Sequence, residues 1–130
     1  MNPPLDALYC CTETNGDASP SLPTLSVVVP AYNEAQNIPL LYQHLAEVMS
    51  GMVAEQWELI IVDDGSRDFT WRAIHNLAKT DGRIKGVRLS RNFGHHYALM
   101  AGLEVAQGEA IITMDCDLQH PVEILPVLFY

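Results

Sequence analysis

Four short runs rich in Val and Ile, LSVVVP (25–30), WELIIV (57–62), IKGVRL (84–89) and EAIITM (109–114), recur with a helical pattern after each. That alternation constrains the fold more than any other feature of the chain. The first, second and fourth runs are nearly continuous in apolar residues, as strands of a parallel sheet covered on both faces must be. The third alternates more, which predicts a place toward an edge. Between them Ile38, Leu41, Tyr42, Leu45, Val48 and Met49 fall at three- and four-residue spacings, as do Trp71, Ile74, Leu77 and Ala78. Asp68 is placed to cap the second helix, and Asp81-Gly82 and Gly108 to end helices. A third helix is predicted over residues 96–107, and VEILPVLFY begins a fourth. Such repetition implies right-handed crossovers and a three-layer α/β/α fold with a mainly parallel sheet. Ligands of open sheets of this kind bind beyond the carboxyl ends of the strands, where the winding direction reverses.

The 130 residues are 48% hydrophobic and 18% charged, enough for one globular domain. Residues 1–24 mix Pro, Ser, Thr, Asn and Asp without apolar periodicity and are read as a disordered leader, with the folded part over residues 25–130. Net charge is -9, with no Lys or Arg cluster to follow a phosphate backbone, which argues against nucleic acid as a partner. Cys10, Cys11 and Cys116 match neither a disulfide framework nor zinc-finger spacing, so a reducing cytosolic setting is expected. No apolar run reaches the 18 or so residues of a membrane span, and MNPPLDALYCC lacks the pattern of a signal peptide.

Polar and ionisable residues gather where the strands should end: PAYNEA after the first, DDGSRD after the second, SRNFGHH after the third and DCDLQHP after the fourth. Neither GxGxxG nor GxxxxGK[ST] is present, so no glycine loop cradles phosphate. A divalent cation held by carboxylates is the other common way to neutralise a diphosphate. In an extended D-x-D, Asp115 and Asp117 point to one side and can share a cation, while Cys116 packs inward as a small hydrophobe. Gln119 offers a neutral oxygen nearby. From DCD alone, a loop carboxylate beside a helix N-cap is an equally good reading, as is a capped turn for DDGS. Tyr32 and Glu34 have the start of a helix as their other reading. His95 and His96 diverge by about 100° on a helix and are no chelating pair, so they are assigned to packing or surface. His44 and His75 are given no role, and His120 stays undecided.

SVVVPAYNEAQNI, ELIIVDDGSRDFT and LSRNFGHHYALMAGLEVAQGEAIITMDCDLQHPVEILP, in this order, resemble the inverting nucleotide-sugar glycosyltransferases of the GT-A fold, glycosyltransferase family 2. The resemblance covers residues 25–130. RNFG…AG followed by D-x-D-L-Q-H-P is most similar to the polyprenyl-phosphate branch, the dolichol-phosphate mannose synthases and undecaprenyl-phosphate sugar transferases. It implies that Pro30, Tyr32 and Glu34 line a nucleotide pocket and that Val62 and Asp64 contact base or ribose, with Asp63 a neighbouring candidate. Asp115, the Cys116 backbone and Asp117 would meet the diphosphate and sugar. Asp115, Asp117 and Gln119 would surround Mg2+ or Mn2+, and Arg91 and Asn92 would lie near the donor. Cys116 stands where Ala or Val is usual, and HPVE where HPPE is usual.

The implied reaction is a single displacement by an acceptor oxygen at the anomeric carbon. With a polyprenyl phosphate acceptor, the attacking oxygen is already anionic and no protein base is needed. The chain stops at Tyr130 inside an expected helix, where family members continue into an acceptor-binding half and often membrane helices. It is therefore expected to be a catalytically incomplete part of an enzyme that works at the cytoplasmic face of the membrane, itself soluble and cytoplasmic. Membrane contact would come through that missing half. Two other readings are an Asp-dependent phosphatase or phosphotransferase, which would carry its nucleophilic Asp after the first strand, and a non-catalytic nucleotide-sugar-binding module.

Overall fold

The computed structural model describes residues 8–11, 23–53 and 56–116. In chain order these form strand β1 (Leu8–Cys11), strand β2 (Leu25–Ala31), helix α1 (Asn37–Val53), strand β3 (Trp57–Asp63), helix α2 (Thr70–Thr80), strand β4 (Ile84–Leu89), helix α3 (His95–Val105) and strand β5 (Ala110–Thr113). The sheet order is β1-β4-β3-β2-β5. β4, β3, β2 and β5 run parallel, with Leu25 opposite Trp57, Leu59 opposite Ile84 and Leu25 opposite Ala110. The winding therefore reverses between β2 and β5, which places the switch point at the ends of those two strands.

Coverage on both faces explains the first two continuous apolar runs, β2 and β3. The fourth, expected to be covered likewise, is β5 at one end of the sheet, where exposure alternates and Ile111 is 42% exposed because among the described residues β5 has a partner strand only in β2. Leu25, Val27 and Val29 of β2 and Trp57, Leu59 and Ile61 of β3 pack with Ile38, Leu41, Leu45 and Met49 of α1 and Ile74 and Ala78 of α2. The alternate residues Val28, Ile60 and Val62 turn to the other face, where they meet Ala98 and Ala101 of α3. Helix α3 lies close to the sheet because Gly102 faces it: a Cβ there would collide with the Val28 side chain. Burying one such aliphatic side chain contributes about 1.5–3 kcal/mol.

The third apolar run, expected toward an edge, is β4, which ends the parallel part of the sheet on one side but is second from the end of the sheet as a whole. Its outer side is not free. Leu8–Cys11, inside the segment expected as a disordered leader, pairs antiparallel with it, Leu8 opposite Leu89 and Cys11 opposite Gly86. An edge strand presents a row of unpaired backbone N–H and C=O groups, and the backbone of Leu8–Cys11 pairs with them. The third helix begins at His95 and ends at Val105, one residue before and two residues before the expected limits. The expected fourth helix lies outside the described residues. No helix among the described residues is long and apolar enough to cross a membrane.

Asp68 does not occupy the cap position assigned to it. That position belongs to Phe69, without a side-chain cap. Asp68 sits one residue earlier, accepts from the Thr70 N–H at 2.9 Å and from the Thr70 hydroxyl, and also takes the Ala35 N–H. Burial alone would raise its pKa, but these hydrogen bonds outweigh burial and hold the carboxyl below its ordinary value. At the other end of α2, Asp81 fastens the helix to its surroundings. It accepts from the Tyr42 hydroxyl of α1 at 2.7 Å, from the Arg83 N–H and from the Arg83 guanidinium. Burial opposes ionisation here too, yet the Arg83 and Tyr42 hydrogen bonds depress the pKa. A carboxylate with a folded-state pKa below its unfolded value contributes stability above that unfolded value, and the contribution is lost as pH falls through the folded one. Urea unfolding across the acid range, below the ordinary aspartate pKa of about 4, should therefore decline less steeply in Asp81→Asn than in the parent chain.

Candidate functional site

The loops after the parallel strands meet at the carboxyl edge of the sheet and enclose a cavity of about 480 Å³. Pro30, Tyr32 and Glu34 reach it from β2, Asp64 from β3, Asn92, Gly94 and His95 from the β4–α3 loop and α3, and Asp115 and Cys116 from β5. Most of the residues assigned to a site from sequence are thus brought together. Val62, Asp63 and Arg91 do not line the cavity, and the Val62 side chain is fully buried beneath α3 beside Gly102. Asp117, Gln119 and His120 lie outside the described residues. Cys116 is 3% exposed and joins the core cluster under α1, the inward packing expected for it.

Two loops are clasped to each other. Asn33 stands at φ 54, a conformation that Asn tolerates better than most residues. Its N–H donates to Ser66 Oγ at 2.8 Å, and its Oδ1 accepts from the Arg67 N–H at 2.9 Å. Ser66 in turn donates its N–H to Asp63 Oδ1 at 2.9 Å, so the buried Asp63 organises the turn rather than facing the cavity. Gly65 completes this turn at φ 71, where a Cβ would run into the backbone of Arg91 and Asn92. Glu34 serves both readings offered for it. Its carbonyl takes the Asn37 and Ile38 N–H groups that begin α1, while its side chain lines the cavity and accepts from Asn37 Nδ2 at 2.6 Å.

Asp64 ties β3 to the start of α3. Its two carboxylate oxygens accept from the Phe93 N–H at 2.9 Å and the Gly94 N–H at 3.2 Å. Burial raises its pKa, the Phe93 and Gly94 bonds pull it partly back, and the neighbouring Asp63 charge raises it further. The N-terminus of α3 therefore opens onto the cavity with Gly94 at φ 106 and no side-chain cap, an electropositive helix end beside the carboxylates.

His95, assigned to packing or surface, is 62% exposed, and the structure adds a place at the cavity. The first residue of α3, it lines the cavity, and its Nε2 is 3.9 Å from Asp115 Oδ1. The 100° divergence of adjacent helical side chains disposes of a His95–His96 chelate but says nothing about one histidine at a helix start. Asp115 is 47% exposed and presents a hard oxygen donor to the cavity. Among the described residues no three His, Cys, Asp or Glu side chains form a metal cluster. Mg2+ and Mn2+ need only one or two protein carboxylates when phosphate and water complete the shell, so a single well-placed carboxylate fits such an ion.

The sequence matches the family model described as Glycosyl transferase family 2 over residues 26–129. It is 41% identical over 105 residues to the undecaprenyl-phosphate 4-deoxy-4-formamido-L-arabinose transferase of Aeromonas hydrophila, covering 80% of this chain and 32% of that protein. The structure resembles the mannosyltransferase PcManGT from Pyrobaculum calidifontis in complex with GDP-Man and Mn2+, with a TM-score of 0.68 and 30% identity over 79% of this chain and 30% of that one. It also resembles S. aureus TarS 1-349 in complex with UDP-GlcNAc, with a TM-score of 0.61 and 29% identity over 72% of this chain and 26% of that one. The chain spans about a third of the length of the curated relatives it matches.

Proposed function

Because the chain belongs to glycosyl transferase family 2, we propose that it forms the nucleotide-sugar-binding part of an inverting enzyme that passes a sugar from a nucleoside diphosphate to a polyprenyl phosphate. The observation that carries this reading is the convergence of the parallel-strand loops on one cavity at the β2–β5 switch point, with Asp115 of the D-x-D at its rim. The sheet edge is where α/β folds take nucleotides, and the uncapped N-terminus of α3 suits an anionic diphosphate.

In this reading Tyr32, 42% exposed at the cavity, offers a ring face to the base. Asp64, engaged with the Phe93 and Gly94 N–H groups, sets the position of the α3 end against the phosphates. Asp115 would hold Mg2+ or Mn2+, joined by Asp117 and Gln119 of the same motif. The ion, when bound, would offset charge building on the departing diphosphate. A phosphate oxygen of the acceptor is anionic near neutral pH, so its attack on the anomeric carbon needs no proton removed by the protein, and one displacement inverts that carbon. The lipid acceptor is favoured by the undecaprenyl-phosphate substrate in the name of the Aeromonas hydrophila relative.

Calorimetric titration of the chain with UDP and GDP, with and without Mn2+, tests the donor site. Binding of at least one of them, strengthened by Mn2+, is the expected result. Failure of both nucleotides to bind under either condition rejects the reading.

A further inference from the structure

The net charge of -9 conceals a segregation. All seven Lys and Arg residues lie within residues 67–91, a segment with two carboxylates and a formal charge of +5, while the rest of the chain has fourteen carboxylates and no Lys or Arg, a formal -14. The fold then sorts these cations. Arg83 and Lys85 are engaged inside, with Asp81 and Glu58 respectively, and Lys79 lies in the last turn of α2. The other four, Arg67, Arg72, Arg88 and Arg91, are exposed and belong to the carboxyl half of the sheet, where the cavity opens.

Their contacts gather them around the loop after β3, with the Arg91 guanidinium 4.5 Å from the centre of the Phe93 ring. Arg91 abuts Gly65 in the loop that carries Arg67, since a Cβ on Gly65 would meet the Arg91 backbone. The Arg72 guanidinium lies 5.2 Å from the centre of the Phe69 ring. Arg88 lies 5.7 Å from the ring of Trp71, next to Arg72 in sequence. Phe69, 70% exposed, is the most exposed large hydrophobic side chain among the described residues. Among those residues Arg67, Arg72 and Arg91 form no ion pair, and Arg88 reaches only the buried Asp63 at 3.9 Å. The facing anions are few: Asp63 and Asp64 are buried, and Asp68, exposed between Arg67 and Phe69, keeps its charge and offsets one of the four guanidiniums. Glu34 and Asp115 border the cavity itself.

We propose that Arg67, Phe69, Arg72, Arg88 and Arg91 form a docking surface for an anionic lipid bilayer, which sets the mouth of the cavity against the membrane. Guanidinium groups pair with lipid phosphates, and an exposed aromatic ring among them enters the interfacial layer. A protein this acidic is repelled by an anionic surface as a whole. With a Debye length of about 8 Å at physiological salt, however, only the surface in contact is felt. The choice of a bilayer among polyanions rests on the polyprenyl-phosphate reading, since a lipid-borne acceptor requires the cavity to face its membrane.

Co-sedimentation with phosphatidylcholine vesicles, with and without phosphatidylglycerol, tests the surface, with circular dichroism confirming that each variant is folded. The chain should bind only the anionic vesicles, and more weakly as salt rises. Arg67→Gln with Arg72→Gln should weaken partitioning about twenty-five-fold, roughly fivefold for each charge. Phe69→Ser should remove the part of the binding that salt does not. Lys79→Gln, at the far end of α2, should leave binding unchanged. Equal binding to neutral vesicles, an equal loss in Lys79→Gln, or preference for heparin over anionic vesicles overturns the proposal. UDP and GDP titration of the same preparations separates the two readings: nucleotide binding without vesicle binding rejects the docking surface alone, and vesicle binding without nucleotide binding rejects the donor site alone.

Discussion

Glu58→Ala is expected to destabilise the chain by about 3–5 kcal/mol, the cost of breaking a buried ion pair from one side. Glu58 is 3% exposed on the second residue of β3. Its Oε2 accepts from the Ser26 hydroxyl of β2 at 2.5 Å and from the Gln107 N–H at 2.6 Å, and its Oε1 lies 2.7 Å from Lys85 Nζ of β4. Ser26 Oγ accepts from the Gly108 N–H at 2.8 Å, so one carboxylate joins three strands and the turn between α3 and β5. Alanine would strip the acceptor from an ammonium, a hydroxyl and a backbone N–H at once. Each orphaned neutral donor costs about 1–3 kcal/mol and the charged one more. Domains of this size are stable by about 5–15 kcal/mol in total, so a large share of the stability would go. The denaturation midpoint in urea should fall sharply, with Glu58→Gln losing less because its carbonyl still accepts. A loss below about 1 kcal/mol in Glu58→Ala would show that the network is not what binds this end of the sheet.

That same residue shows what sequence reasoning reaches and what it does not. WELIIV reads as a strand because five of its six residues are apolar, and the two-sided burial of β2 and β3 accounts for it. The switch point follows from topology, since β5 returns to the far side of β2. What a pattern cannot display is which charge is buried: Glu58 reads as the one solvated position of its strand until Lys85, Ser26 and Gln107 are brought to it across the sheet. The reading of His95 as packing or surface holds for its exposure but did not reach its place at the cavity. It judged the pair and not the helix end, where the first residue of α3 necessarily looks into the loop edge. Asn33 was legible as part of PAYNEA but not as the clasp on Ser66 and Arg67, because its positive φ is set by a loop thirty residues away in sequence. Pairing of Leu8–Cys11 was hidden because a four-residue apolar stretch has too little periodicity to stand out among Pro, Ser and Asn. The sequence reading found no Lys or Arg cluster because the seven cations are spread over residues 67–91 without a contiguous run, and their confinement to that segment shows only against the net charge of the rest.

Asp115→Ala should change nucleotide binding in opposite directions depending on whether Mn2+ is present. The side chain is 47% exposed, and His95 Nε2 is no closer than 3.9 Å, so its removal costs the fold little. Thermal unfolding should shift by no more than other surface substitutions do, within about 0.5 kcal/mol. Without metal, Asp115 opposes an incoming diphosphate in a cavity that also holds Glu34 and Asp64, so deleting it should improve affinity slightly. With Mn2+ the sign reverses, because a hard cation loses a carboxylate donor that water replaces poorly. Even outer-shell changes at metal sites cost 10–100-fold, and a direct ligand should reach the upper end, on the order of a hundredfold. Calorimetry with UDP and GDP, repeated at several Mn2+ concentrations, reads both arms. His95→Ala should lower affinity modestly in both arms, since it removes a donor near the phosphates without removing a ligand. Retained Mn2+ enhancement in Asp115→Ala would move the metal off this residue. Loss in both arms would make Asp115 a contact to the nucleotide itself. Only the crossed result, better without metal and far worse with it, identifies Asp115 as the carboxylate that makes a diphosphate welcome in so acidic a cavity.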